Sequence, residues 1–105
     1  MKLRTITAEH AARFSRHLRE QERSPGTVEK YTRDVQALAT WLNGAPATHE
    51  SVAAWRDGLL ERGYAPVTVN SMVAAVNHFF HFFGWGECKV KALKIQRRLF
   101  RDDRR

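Results

Sequence analysis

Apolar residues recur at steps of three and four through residues 65–85, the most apolar stretch of the chain. They are Val69, Met72, Val73, Val76, Phe79, Phe80 and Phe83. This spacing gathers them on one face of an α-helix of about five turns. Pro66 suits a first helical position, and Gly84 suits a helix end. The pattern therefore predicts a central helix around which the rest of the chain packs.

Three earlier stretches repeat this spacing more weakly, over residues 7–21, 24–42 and 48–62. Thr7, Ser24 and Thr48 stand directly before them, and hydroxyl side chains are favoured N-caps. No segment is a convincing strand, because none alternates apolar and polar residues over a strand's length. The fold class predicted from the pattern is all-α, with four helices.

The same periodicity predicts which large side chains form the core. Trp41, Trp55, Phe79 and Phe83 fall on apolar stripes, so we expect all four to be largely buried. Tyr31 also falls on the buried stripe of its helix. Tyr64 is expected in the turn that precedes the central helix.

The second and fourth predicted helices resemble each other at an offset of 41 residues. Pro25 aligns with Pro66, and Thr27 aligns with Thr68. Two interpretations remain open: an internal duplication, or two unrelated helices with similar starts. In either case, two long helices with similar N-terminal chemistry lie in one small domain.

Length and composition fit one small domain. The chain has 105 residues, three Trp and six Phe, which is typical of a packed globule. A single cysteine, Cys88, excludes an internal disulfide, and no signal peptide or 18-residue apolar run is present. We therefore expect a cytoplasmic protein that has no membrane partner.

The positive charge lies mainly after Trp85. Eight Lys or Arg and three acidic residues follow it, so this segment carries +5 of the net charge of +7. We predict a helical domain over residues 1–86 and a basic linker over residues 87–105 that leaves the globule. A basic tail favours a polyanion, nucleic acid first and an anionic membrane second, although a solvated tail explains it too.

No catalytic constellation is recognisable in the sequence. There is no glycine-rich phosphate loop, paired carboxylate or His-Glu-x-x-His motif. His78 and His81 have the spacing of metal ligands, but no suitably placed acid or cysteine joins them. We therefore predict no catalytic residue, no metal, no cofactor and no small-molecule substrate. Cys88 is interpreted as a structural or incidental thiol.

Several polar and basic residues favour contact with double-stranded DNA. Helix N-termini attract phosphates, Lys and Arg neutralise them, and Asn or His can reach base edges. The candidates on the helices are Thr27, Lys30, Arg33, Thr68, Asn70, Ser71, Asn77 and His78. The candidates in the tail are Lys89, Lys91, Lys94, Arg97 and Arg98.

The order of these motifs resembles the N-terminal core-binding domain of tyrosine recombinases. Residues 24–35, SPGTVEKYTRDV, with Trp41-Leu42, are similar to that family's S-x-x-T-x-x-x-Y-x-x-D helix. Residues 59–71 resemble the entry to its fourth helix, and residues 90–98 look like the linker to its catalytic domain. Ala65 departs from the pattern, which often has Ser there, and the usual Asn-Pro after the fourth helix is absent.

The resemblance implies a SAM-like orthogonal four-helix bundle that clamps one side of a core recombination site. It implies double-stranded DNA and other protomers of the parent recombinase as partners. The catalytic domain would follow this chain, so we expect that the chain alone is not an enzyme. A different interpretation stays open: a helical protein–protein interaction module that does not bind DNA.

Overall fold

The computed structural model describes residues 3–95 and contains four α-helices in that range. They are α1, Ala8–Glu20; α2, Pro25–Leu42; α3, His49–Glu61; and α4, Pro66–Phe83. A short 3-10 turn, Gly86–Cys88, follows α4. Residues 3–95 form no strand, and Arg4 and Ala47 make one isolated antiparallel bridge. The predicted all-α class and the four helices are confirmed.

The helix starts follow the predicted capping chemistry. The hydroxyls of Thr7, Ser24 and Thr48 each accept an N–H from the residue three positions later. These contacts satisfy backbone donors that a helix start leaves without partners. Helix α4 differs, because Ala65 offers no side-chain cap before Pro66. Its first-turn N–H groups therefore lack the hydroxyl that the other three starts have.

Helix α4 lies at the centre of the core, as its pattern predicts. It contacts α2, α3 and the 3-10 turn, and α1 reaches it through Phe14. The Phe14 and Phe79 rings meet edge to face with centroids 5.3 Å apart. The other elements contribute Leu18, Val35, Leu38, Val52, Trp55 and Leu59, all fully buried. Burial of this apolar surface is the main stabilising term for a domain of this size.

Helices α2 and α4 run antiparallel along each other. Tyr31, near the start of α2, lies beside His78, near the end of α4, with ring centroids 5.8 Å apart. Ala37, further along α2, instead shares a groove with Thr68 at the start of α4. The N-termini of these two helices therefore lie at opposite ends of the pair.

Some predicted core residues are exposed. The prediction for Trp41 is wrong, because its side chain is 42% exposed near the end of α2. Phe83 and Tyr31 are only half-buried. Helical spacing identifies a face, but at a helix end the partner that would cover that face can be missing.

The first part of the predicted basic linker does not leave the globule. Cys88 is fully buried and Val90 is 5% exposed, while Leu93 packs against the core. Residues 88–93 therefore belong to the folded body, whereas the sequence predicts departure at residue 87. The reason is that Val90 and Leu93 carry apolar surface that α3 and α4 cover. Residues 96–105 of the predicted linker lie outside the described residues.

Truncation of Phe79 tests the assignment of the core. Phe79→Ala should lower the free energy of unfolding by about 3–5 kcal/mol, since the ring is fully buried among other aromatic rings. Trp41→Ala, a larger truncation at an exposed site, should cost less. Urea unfolding followed by circular dichroism gives both values. An equal loss for the two variants would contradict this assignment.

Candidate nucleic-acid interface

Four of the predicted DNA-binding residues line one groove. Lys30 and Arg33 from α2 face Thr68 and Ser71 from α4, and Tyr64 closes one end. We call this surface the α2–α4 groove. The antiparallel packing brings the residues together, because it places the middle of α2 beside the first two turns of α4. Distant parts of the sequence thus supply two cations and two hydroxyls to a single surface.

Lys30 holds the groove together. Its ammonium donates to the Asp34 carboxylate and to the Ser71 carbonyl oxygen, the latter at 3.1 Å. Asp34 is only 5% exposed, so its charge needs this partner. Lys30 therefore ties α2 to α4, and much of its charge is compensated inside the protein.

Arg33 and Arg62 supply the uncompensated positive charge nearby. Arg33 lines the α2–α4 groove, and it also lines an adjoining depression with Trp41 and Arg62. Neither arginine makes an ion pair within residues 3–95. Trp41 and Tyr64 are 42% and 44% exposed, so two aromatic side chains border these arginines.

Trp41, Tyr64 and Arg62 were not among the residues predicted for this surface. Trp41 was expected in the core, and Tyr64 and Arg62 belong to the α3–α4 turn. The available signal was the cluster Arg62-Gly63-Tyr64, in which a basic and an aromatic residue flank a turn glycine. Only the packing of this turn beside α2 shows that the cluster adjoins Arg33 and Trp41.

Thr27 and His78 lie away from the α2–α4 groove. Thr27 is at the other end of the helix pair, where its hydroxyl and its backbone N–H both bond to the Ser24 hydroxyl. The His78 ring packs near Phe14, His17 and Tyr31. Its Nε2 is buried and has no hydrogen-bond partner within residues 3–95. DNA contacts by these two residues stay predictions.

The amides of Asn70 and Asn77 are occupied by the chain itself. The Asn70 side chain pairs with the backbone of Leu93, and the Asn77 side chain pairs with that of Val90. Contact with base edges stays a prediction for both, and it would require these amides to give up backbone partners.

Three of the five DNA-binding candidates in the tail lie within the described residues. Lys89, Lys91 and Lys94 are exposed in the segment that follows the 3-10 turn. Arg97 and Arg98 lie outside the described residues. The segment that carries them lies along α3 and α4, and Lys94 follows Leu93, whose backbone pairs with Asn70 near the start of α4.

Comparison with known proteins shows the family to which this four-helix domain belongs. The family model of the phage integrase N-terminal SAM-like domain matches residues 11–86 of the chain. The chain belongs to this family. It is also 36% identical over 81 residues to a tyrosine recombinase XerC of Roseiflexus castenholzii (strain DSM 13941 / HLO8). That alignment covers 70% of the chain and 26% of the relative, so the chain spans about a quarter of that relative's length. No solved structure matches the chain.

The described part of the SAM-like domain shows neither a metal-binding group nor a membrane span, and its cysteine is buried. Within residues 3–95, no three His, Cys, Asp or Glu side chains form a group that could hold a metal ion. No helix in that range is long and apolar enough to cross a bilayer. Burial raises the pKa of the Cys88 thiol, and its sulfur contacts the Ala47 carbonyl oxygen at 3.3 Å. This thiol therefore lacks the lowered pKa of a reactive cysteine.

Loss of Lys30 should expose its structural role. Lys30→Ala leaves the Asp34 carboxylate buried without its cation, so the free energy of unfolding should fall by about 1–3 kcal/mol. Arg33→Ala, at an exposed position three residues away, should change it by less than about 0.5 kcal/mol. The double variant Lys30→Met, Asp34→Leu should recover much of the loss, because neither partner stays buried alone. Equal urea midpoints for Lys30→Ala and Arg33→Ala would exclude this role.

His78 should make stability depend on pH. Burial lowers the pKa of His78 below its usual 6.5, and Arg23, His17 and His81 lower it further. The unfolded chain therefore binds a proton at this site more tightly than the folded domain, and acidification through pH 6.5 favours unfolding. We expect the melting temperature to fall between pH 7.5 and pH 5.5.

His78→Phe should weaken that pH dependence, because phenylalanine keeps a ring at this site and cannot be protonated. Some dependence should remain, since burial also lowers the pKa of His10. Thermal melts of both proteins across this pH range provide the comparison. Identical pH profiles would show that His78 is not responsible.

Proposed function

We propose that this chain is the DNA-binding module of a site-specific tyrosine recombinase. In this proposal it clamps one side of the core recombination site, alongside other protomers of the parent protein. The observation that carries the proposal is the position of Arg33, which lines both the α2–α4 groove and the adjoining depression. Thr68 and the exposed Tyr64 line the groove, and Arg62 and the exposed Trp41 line the depression. Membership of the phage integrase N-terminal domain family supports the same function.

The start of α4 is the better suited of the two similar helix starts to meet a phosphate. At the start of α2, the Ser24 hydroxyl already accepts the Thr27 N–H. At the corresponding position before α4, Ala65 offers no hydroxyl, so the N–H of Thr68 has no such cap. Free N–H groups and the helix dipole attract phosphate oxygens. The Thr68 hydroxyl adds a donor at the same place.

Arg33 and Arg62 are the principal cations in this proposal. Arg33 shares the groove with Thr68, and Arg62 caps the end of α3 and lines the adjoining depression with Arg33. Neither arginine makes an ion pair among the described residues. Lys30 and Ser71 shape the groove wall, and Thr27 and His78 would contact DNA outside the groove. Asn70 and Asn77 would reach DNA only by giving up their bonds to the backbone of Leu93 and Val90. The tail candidates would contact the DNA backbone; they are Lys89, Lys91, Lys94, Arg97 and Arg98.

The salt dependence of binding to duplex DNA tests the proposal. If five or six phosphates are contacted, a plot of log affinity against log salt concentration should have a slope of roughly −5. Arg33→Ala should flatten this slope by about one unit, and Lys91→Gln with Lys94→Gln by about two. Fluorescence anisotropy from about 50 mM salt upward gives the slopes.

Arg16→Ala is the matched control, since Arg16 is exposed on α1 outside the groove. It should change the slope less than Arg33→Ala does. An absence of DNA binding at low salt, or affinity that is indifferent to salt, would favour the protein-interaction module instead. In that case the exposed Trp41 and Tyr64 would be the first residues to test as a protein contact.

A further inference from the structure

The side chains of two asparagines on α4 hydrogen-bond to the backbone of residues 90–93. Asn77 donates from Nδ2 to the Val90 carbonyl oxygen at 2.7 Å and accepts the Val90 N–H at 3.1 Å. Asn70 donates to the Leu93 carbonyl oxygen at 3.0 Å and accepts the Leu93 N–H at 2.7 Å. Each amide thus bonds to both the N–H and the carbonyl oxygen of one residue, as a neighbouring residue in an antiparallel β-ladder would.

The spacing of the two amides matches an extended segment. Seven residues on a helix advance about 10.5 Å, at about 1.5 Å per residue. Three residues of extended chain advance about 10 Å, at about 3.3 Å per residue. Asn70 and Asn77 therefore lie on one side of α4 at the interval that separates Leu93 from Val90. A collapsed or helical linker would not span both amides.

Helix α3 holds the same segment from the other side. The Arg56 guanidinium donates to the Lys91 carbonyl oxygen at 2.8 Å, and His49 Nδ1 lies 3.0 Å from the Lys89 carbonyl oxygen. Val90 is buried between the helices. We call residues 89–93, held in this way, the docked strap.

The direction of the docked strap determines at which end of α4 the described chain reaches Lys94 and Ile95. Val90 meets Asn77 and Leu93 meets Asn70, so the strap runs antiparallel to α4 and toward its N-terminus. Thr68 lies at that end of α4 and lines the α2–α4 groove. Lys94 and Ile95 therefore lie toward the same end of the domain as the groove.

We propose that Asn70 and Asn77 are positioning residues that fix the path of the linker and its exit beside the α2–α4 groove. With Val90 and Leu93 turned inward, the side chains of Lys91 and Lys94 are left exposed. The hydrogen bonds that dock the strap do not require DNA. The contribution of the strap to DNA binding rests on the proposed function, in which Lys94 would be held toward a duplex in the groove.

Residue-specific amide exchange tests the positioning role. In the unaltered chain, the amides of Val90 and Leu93 should be protected. Asn70→Ala should make Leu93 exchange about tenfold faster, and Asn77→Ala should do the same for Val90, as expected for the loss of a hydrogen bond of ordinary strength. Amides in the middle of α1 and α4 should keep their protection, which distinguishes local release from general destabilisation.

Trypsin cleavage gives a second readout, because Lys89, Lys91 and Lys94 lie in or next to the strap. The double variant Asn70→Ala, Asn77→Ala should be cut there several times faster than the unaltered chain. His81→Ala, an exposed substitution on the same helix, is the matched control and should leave the cleavage rate unchanged. Unprotected amides at Val90 and Leu93 in the unaltered chain, or unchanged exchange in both variants, would overturn the proposal.

A distance measurement tests the exit point directly. Spin labels at Val67→Cys and Ile95→Cys would report the separation of the linker from the start of α4, since both positions are exposed and Cys88 is fully buried. The labelled chain should give one narrow distance distribution, and the double asparagine variant should give a broad one. A broad distribution in the labelled chain with both asparagines intact would overturn the proposal.

The outcomes for the strap and for DNA binding can be separated. Protected Val90 and Leu93 amides in a chain that does not bind DNA would support the docked strap and exclude the proposed function. Salt-dependent DNA binding by a chain with unprotected amides would do the reverse. If both hold, the double asparagine variant should bind DNA more weakly, since the linker lysines are no longer held near the groove.

Discussion

Helix α4 must be covered on most of its circumference, and the rest of the domain is arranged to cover it. Seven of its 18 residues are buried, including Val76, Phe79 and Phe80. Helices α2 and α3 cover two sides, Phe14 of α1 reaches a third, and the strap lies along the row of Asn70 and Asn77. A helix this apolar would aggregate if it were exposed, so its burial constrains where every other element lies.

The local features of the fold could be read from the sequence because they depend on neighbouring residues. The hydroxyl caps at Thr7, Ser24 and Thr48, and the glycine after α4, act within one turn of chain. Trp41 could not be placed in the same way. Its exposure depends on which element ends nearby, and periodicity carries no information about that. The pairing of buried Asp34 with Lys30 was equally hidden, because i,i+4 charge pairs are common on solvent-exposed helices.

The candidate site could be predicted only in part, for a related reason. Sequence reasoning identified suitable side chains at the starts of α2 and α4, but antiparallel packing places those starts at opposite ends of the pair. The structure therefore assembles a groove from Arg33 and Thr68 and leaves Thr27 apart. The asparagines illustrate a second limit. Their amides suit base edges and backbone groups equally well, and only the path of residues 89–93 shows which partner they have in the folded chain.

The side-chain amides of Asn70 and Asn77 can bind either the backbone of the strap or a DNA base, and these two contacts compete. An amide bonded to both backbone groups of Leu93 keeps one N–H and one oxygen lone pair, but its paired donor and acceptor edge is no longer available for a bidentate contact with a base. A base contact by Asn70 would therefore release this part of the strap, and docking of the strap would oppose that contact by the same free energy. The α2–α4 groove avoids this competition, because Arg33 and the uncapped start of α4 are free while the strap is docked. A domain that holds its linker with Asn70 and Asn77 can thus present its groove to DNA without giving up the linker's position.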